Sequence, residues 1–356
     1  MREKNKASRS ASRKLTKKQT MLVVLCCALA LVLLLLILGT VYAEHMLSLI
    51  NRAPDDSTMS PEEYEQFLAD QTDPSDPGFT GPVIDDVTWG DDIEVVEQGE
   101  HIINVVLVGQ DRRPGESRQR SDVMILCTVN TKNGTLTMTS FMRDMYVQIP
   151  GYNDNRINAC YQLGGMDLLA ECLKKNFGVQ VDGMVEVDFN GFVDVINLVG
   201  GVDIELTASE ANYLNAHPDL GDAAGQSWNL VSGMNHLDGN QALGYSRIRN
   251  LGDGDFDRTG RQRNVLNAVF DKCKSMNLTK LNELLESALQ MVTTNLSNAQ
   301  ILNYMVEVFP LLLNLNITSQ RIPADGTFQH ARINNMSVLV PDLEANSALL
   351  RDSLTE

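Results

Sequence analysis

The chain has 356 residues, 43% of them hydrophobic and 6% aromatic, with a formal net charge of −17. That length suits one large domain or two ordinary ones, and six cysteines spread over it exclude a disulfide-dense mini-scaffold. The acidic balance argues against general nucleic-acid binding, which needs a basic face.

Residues 1–20 hold eight Lys/Arg against one Glu and read as a basic cytoplasmic tail. Met21 to Ala43 is a run of 23 residues without a charge. As a helix it reaches about 35 Å, enough for a hydrocarbon core of about 30 Å. Basic residues precede the run and acids follow it, so the expectation is a transmembrane signal-anchor with its N-terminus inside and the rest exported. The rival is a cleaved signal peptide, because Val41-Tyr42-Ala43 resembles a cleavage site; the apolar run is long for that purpose. Residues 44–100 carry sixteen acids, one base (Arg52) and five prolines, and read as an acidic extended linker. Ser60 and Glu63 predict a capped short helix over Pro61–Ala69.

Order is expected from His101. Ile102–Val108 predicts a buried strand, and Asp122–Val129 and Thr135–Phe141 a hairpin around Asn133-Gly134. A helix is expected over Gly165–Asn176, a strand over Val185–Asp188, a helix over Phe189–Val199, a strand over Val202–Leu206 and a helix over Gly239–Tyr245. Asp238 is read as that last helix's cap, with His236 as part of the turn rather than a catalytic group. Gly260–Ser275, Leu278–Val292 and Ser297–Leu313 read as amphipathic helices. The alternation indicates an α/β domain with a mixed central β-sheet. The expected organisation is tail 1–20, span 21–43, linker 44–100, catalytic domain 101–275, and C-terminal helices 276–356 packed on or continuing it. Cys160 and Cys172 flank Gly164-Gly165, and their pairing is left open. No zinc, P-loop or dinucleotide motif is present.

From His101 onward there are fourteen Arg but six Lys, and Arg holds phosphate in a fixed fork. The arginines cluster beside acids at element ends: Asp111-Arg112-Arg113, Arg120-Ser121-Asp122, Arg143-Asp144, Arg247-Ile248-Arg249, and Asp255 through Arg258 to Arg261-Gln262-Arg263. Strand ends are where α/β folds place ligands. Two strand-end aspartates suit a hard cation such as Mg²⁺, and several arginines around it suit a diphosphate. Any one cluster alone reads as a surface ion pair.

In this order the pieces resemble the LytR-CpsA-Psr family of bacterial cell-envelope proteins. They are Asn104 through Asp111 with Arg113, Arg120-Ser121-Asp122-Val123-Met124, Arg143-Asp144, Arg156-Ile157-Asn158-Ala159, Val185 through Phe189, Leu198 through Val202, His236 through Gly239, Arg247-Ile248-Arg249, and Gly254-Asp255-Phe256 with Arg258 and Gln262. The resemblance covers about residues 101–275. It implies an α/β/α sandwich with an apolar pocket for a polyprenyl chain. It also implies a membrane-anchored phosphotransferase that moves a glycopolymer, such as teichoic acid or capsule, from undecaprenyl diphosphate to the 6-hydroxyl of N-acetylmuramic acid in peptidoglycan. By matching motifs, Asp111 and Asp122 would carry Mg²⁺ or Mn²⁺. Arg113, Arg120, Arg143, Arg247, Arg249, Arg258 and Gln262 would bind the diphosphate. Asp122, Asp255 and Arg249 would be catalytic, with either Asp122 or Asp255 as the proton acceptor. Two other readings stay open: hydrolysis of the diphosphate, and a non-catalytic lipid-carrier-binding or regulatory role. No nucleic-acid partner is expected.

Overall fold

The computed structural model describes residues 39–53, 59–69, 81–110, 118–311 and 314–355. They divide into two units at Leu49 and Ile50. The first is helix α1 (39–48) and its final turn. Residues 21–38 of the expected span lie outside the described residues. Among those described, no helix is long and apolar enough to cross a membrane.

The second unit runs, in chain order, β1 (Asn51–Arg52), α2 (Pro61–Ala69), β2 (Ile102–Gln110), β3 (Ser121–Asn130), β4 (Thr135–Phe141), β5 (Tyr146–Val147), β6 (Asn155–Arg156) and α3 (Asn158–Phe177). It continues with β7 (Gly183–Asp188), α4 (Phe189–Leu198), β8 (Val202–Leu206), α5 (Ala208–Ala216), the 3₁₀ turn η1 (Pro218–Gly221), β9 (Gly233–Leu237), α6 (Gly239–Arg247) and α7 (Asp255–Ser275). The remainder is α8 (Leu278–Leu289), β10 (Val292–Thr294), α9 (Asn298–Val308), η2 (Phe309–Leu311), β11 (Asn316–Ile322), β12 (Phe328–Ile333), β13 (Met336–Pro341) and α10 (Leu343–Thr355).

Seven strands form the central sheet in the order β1-β10-β7-β2-β3-β4-β11. β2–β3 and β3–β4 are antiparallel, whereas β2–β7 and β4–β11 are parallel, so the sheet is mixed as expected. Gly134, at φ 67°, closes the β3–β4 hairpin where Asn130 pairs with Thr135.

Side-chain alternation along β2 and β3 builds the layers. Val106, Val108, Met124 and Leu126 pack with Leu169, Leu173 and Phe177 of α3 and Leu350 of α10. Leu107, Val123 and Ile125, pointing the other way, pack with Leu266 and Phe270 of α7. The result is an α/β/α arrangement.

The caps follow the sequence. Ser60 and Glu63 exchange backbone hydrogen bonds at the start of α2, and Asp238 and Gln241 form a capping box on α6. His236 sits on β9, bonded to Asp203 of the antiparallel β8.

Several elements differ from expectation. β8 pairs with β9 in a separate two-stranded sheet and not in the central one. α3 begins at Asn158, with non-helical Gly164 and Gly165 making a break inside it. Cys160 and Cys172 are disulfide-bonded across that break. α7 begins at Asp255 rather than Gly260, because two acids in its first turn favour the positive end of the helix dipole. Parts of the acidic stretch are packed rather than extended. Phe67 and Val96 enter the core, and the Trp89 ring stacks near Tyr146. Apolar burial there outweighs the charge repulsion assumed for a linker. The C-terminal region supplies β10 and β11 to the central sheet.

Candidate active site

Four local devices bring distant charges to one end of the sheet. A bulge between β2 and β3 pairs Gly109 with Val123 and Gln110 with Ser121, which turns Asp122 out of the ladder. Beyond β4, buried Met142 and Met145 anchor a tight turn that presents Arg143 and Asp144 between them. Fully buried Ile248 ends α6 in extended backbone and leaves Arg247 and Arg249 on either side of it. Gly254, at φ 60°, opens α7 and sets Asp255 and Arg258 in its first turn.

The side chains converge. Arg143 Nη1 donates to Asp122 Oδ1 at 2.6 Å. Its Nε lies 3.5 Å from Asp144 and its Nη2 3.7 Å from Asp255. Arg249 bridges Asp122 and Asp255, each at 3.6 Å. Arg258 Nη1 is 3.1 Å from Asp255 Oδ1. Arg156 Nε stands 3.5 Å from Asp144.

Charge sets the protonation states. Burial pushes Asp122 upward, but Arg143, Arg258 and Arg249 outweigh it and hold the carboxylate below its ordinary range. Asp255 follows the same pattern, with burial opposed by Arg258, Arg143 and Arg249. Burial raises Asp144 despite Arg143 and Arg156, with Asp255 adding to the rise. Burial pushes Arg258 down to about 10, which leaves it cationic at neutral pH. Asp144 and Asp122 hold Arg143 firmly protonated against its burial.

These shifts fix the sign of the pH response. The depressed Asp122 and Asp255 stabilise the fold above the ordinary carboxylate range, and that contribution is lost as pH falls through their folded values. Asp144 works in the opposite sense: its contribution is complete in acid and fades as pH rises through its raised value. Arg249→Gln removes one attracting charge at a half-exposed position. The variant is expected to move the acidic limb of the pH–rate profile to higher pH, which a profile of initial rates checks.

Among the described residues, Arg143 Nε, Asp255 Oδ1 and Arg258 Nε are buried without a hydrogen-bond partner. Buried polar atoms are normally satisfied, so their concentration here points to a ligand. One turn beyond Arg258 on α7, Gln262 reaches the wall of a cavity of about 180 Å³. Leu107, Val123, Val187, Phe192, Leu243 and Leu266 make most of that wall apolar.

The other expected site residues are placed differently. Asp111 and Arg113 lie outside the described residues. Arg120 Nε donates to Gln162 at 3.3 Å, and its guanidinium covers the Phe67 ring at 5.3 Å. Arg247 turns toward η1, donating to the Leu220 carbonyl at 2.9 Å and lying over Phe189 at 4.7 Å. Sequence reasoning assigned no role to Asp144 or Arg156, although both lie in the motifs that it quoted. It also missed buried Glu186, which accepts from Gln110 and from the Tyr161 hydroxyl. Burial pushes the Cys127 thiol up to about 12, which disfavours the thiolate.

The fold and the arginine–carboxylate cluster together define an α/β protein whose cluster lies one turn of α7 from an apolar cavity. Residues 83–352 match the LytR_cpsA_psr family, and the chain belongs to it. It is similar to the polyisoprenyl-teichoic acid–peptidoglycan teichoic acid transferase TagV of Bacillus subtilis (strain 168), with 34% identity over 209 residues. That alignment covers 57% of this chain and 52% of TagV, so the chain spans about half the length of that relative. The crystal structure of B. subtilis TagV superposes with a TM-score of 0.57 at 28% identity, covering 72% of this chain and 98% of TagV. The LytR-CPS2A-psr family protein YwtF (TagT), with bound octaprenyl pyrophosphate lipid, gives a TM-score of 0.52 at 26% identity, covering 74% of this chain and 94% of YwtF.

Proposed function

We propose that this protein transfers a teichoic acid or related glycopolymer from a polyprenyl-diphosphate carrier to peptidoglycan. The observation that carries the reading is the cluster itself. Arg143, Arg249 and Arg258 converge on Asp122 and Asp255 and leave buried polar atoms without partners. A prenyl-linked diphosphate has the matching parts, with phosphate oxygens for the guanidiniums and a hydrocarbon tail for the cavity. Transferase relatives and a relative holding a prenyl pyrophosphate support it. The finer reading is undecaprenyl diphosphate as donor and the 6-hydroxyl of N-acetylmuramic acid as acceptor. The domain would work outside the cell, held by the span read at residues 21–43.

Mechanism follows from charge. The acceptor hydroxyl attacks the phosphorus that bears the sugar. A new P–O bond forms as the bond to the bridging oxygen breaks, and polyprenyl monophosphate leaves. The three arginines neutralise the non-bridging oxygens and the departing phosphate. Among the described residues, Asp122 Oδ1 is the oxygen that Arg143 and Arg249 engage, which leaves Oδ2 to accept the hydroxyl proton. Asp111 and Asp122, as hard carboxylate donors, would be the residues to hold Mg²⁺ or Mn²⁺. When bound, the cation would supply further charge neutralisation at the phosphates. Among the described residues, no group of three metal-ligating side chains occurs.

The test uses the full chain in detergent with a polyprenyl-diphosphate disaccharide donor and peptidoglycan fragments. Label on muramic residues supports the reading, and its absence under all cation conditions overturns it. A cavity variant probes the lipid arm. Leu266→Trp fills the apolar wall, so KM for a long-chain donor is expected to rise about tenfold, equivalent to about 1.4 kcal/mol. A farnesyl-length donor should change less.

A further inference from the structure

Helix α9 carries an apolar face that the other described residues leave uncovered. None of its eleven residues is buried. Ile301, Tyr304 and Val308 are half-buried and mark the side turned to the rest of the fold. Leu302, Met305 and Val306 share a neighbouring stripe at i, i+3 and i+4 spacing. They are 38%, 43% and 75% exposed. Ala299, one turn earlier on the stripe, is exposed too. Charge is missing as well. Between Glu286 and Arg321 the one charged residue is Glu307, in a chain that is 21% charged overall. A helix facing water carries polar and charged side chains on its outer side. An apolar stripe in that position marks an interaction surface.

Its place in the chain says what covers it. The uncharged run read as a span closes at Ala43, and β1 begins at Asn51. The residues between can reach at most about 29 Å. β1 pairs with β10, setting Arg52 opposite Thr294. From there Arg52 donates to the Leu296 carbonyl and to the side chain of Asn298, the first residue of α9. Gln300 Nε2 donates to the Asp182 carbonyl at 3.1 Å, just before β7 starts. That is the end of the sheet away from the cluster, which gathers beyond Gln110 and Phe141, where β2 and β4 finish. A second copy of the chain fits this face less well. Eleven residues make a helix of about 16 Å, which by itself falls short of the roughly 1,200 Å² that a stable pair buries.

We infer that α9 lies on the outer surface of the cell membrane, with Leu302, Met305 and Val306 among the acyl chains just below the headgroups. The inference rests on the span read at residues 21–43. A single span fixes where the domain starts but leaves the domain free to turn. α9 is a second foothold, and it decides which end of the sheet meets the lipid. The arginine–carboxylate cluster is then held on the side turned toward peptidoglycan.

The experiment reconstitutes the full chain in vesicles of phosphatidylcholine and phosphatidylglycerol and reads tryptophan emission. Leu302→Trp and Val306→Trp report on α9, so that one decides if the other misfolds. Val83→Trp is the control, since Val83 is 75% exposed, as Val306 is. The signal of Trp89 and Trp228 is subtracted with the wild type, and melting temperatures confirm folding. Both α9 reporters are expected to emit at shorter wavelength than the control. They should also lose intensity when the acyl chains carry bromine near the headgroup, while the control changes little. Reporters that match the control, on a chain that floats with the vesicles, overturn the inference and leave the span intact. A shift to shorter wavelength without loss to bromine shows a protein contact, such as a second copy, and overturns it too. If the wild type fails to float with the vesicles, the span reading itself fails and the foothold falls with it.

Discussion

Asp122→Asn is expected to lower transfer by at least about a hundredfold, the scale of losing a positioned proton acceptor, with a smaller fall in melting temperature from the lost charge opposite Arg143. Asp122 is 27% exposed, and a bulge rather than core packing holds it in place. The amide keeps the shape and still accepts from Arg143. It cannot take up the hydroxyl proton, and it removes one charge that balances Arg143 and Arg249. Single-turnover rates with a preloaded donor check the effect on chemistry apart from binding. Loss confined to KM would show that Asp122 binds and does not react.

Asp255→Ala is expected to act first on stability. Arg258 is 3% exposed, and its ion-pair partner among the described residues is Asp255. Removing that carboxylate strands a buried guanidinium, at a cost of about 3 kcal/mol. For a unit of about 300 residues that lowers the melting temperature by about 5 °C. The double variant Asp255→Ala, Arg258→Met is expected to regain most of the stability, because it removes both charges together. It should regain no transfer. Calorimetry on the single and double variants tests the first point, and the labelled-donor assay the second.

Local features were readable without coordinates because local physics decides them. The Asn133-Gly134 hairpin, the Ser60–Glu63 box and the Asp238 cap need a few neighbouring residues each. β10 and β11 are another matter. β10 is three residues long, and β11 pairs with a strand about 180 residues earlier. Such non-local pairing leaves little periodic signal. Much of the candidate site was similarly legible as a set of residue types: Arg143, Arg249, Arg258, Asp122 and Asp255 do meet. Side-chain direction was not legible. Arg247 and Arg249 are two residues apart, yet one reaches Leu220 and the other Asp122. Nor was the Arg143–Asp255 ion pair, which joins a turn after β4 to the start of α7 through tertiary packing alone.

The bond between Cys160 and Cys172 constrains biosynthesis. Both sulfurs belong to residues with no solvent exposure, so an oxidant cannot reach them after α3 has docked. Oxidation must come before closure of the core, while the nascent segment is still open. Production in a reducing host is therefore expected to seal two thiols inside the molecule, where later exposure to air would not join them.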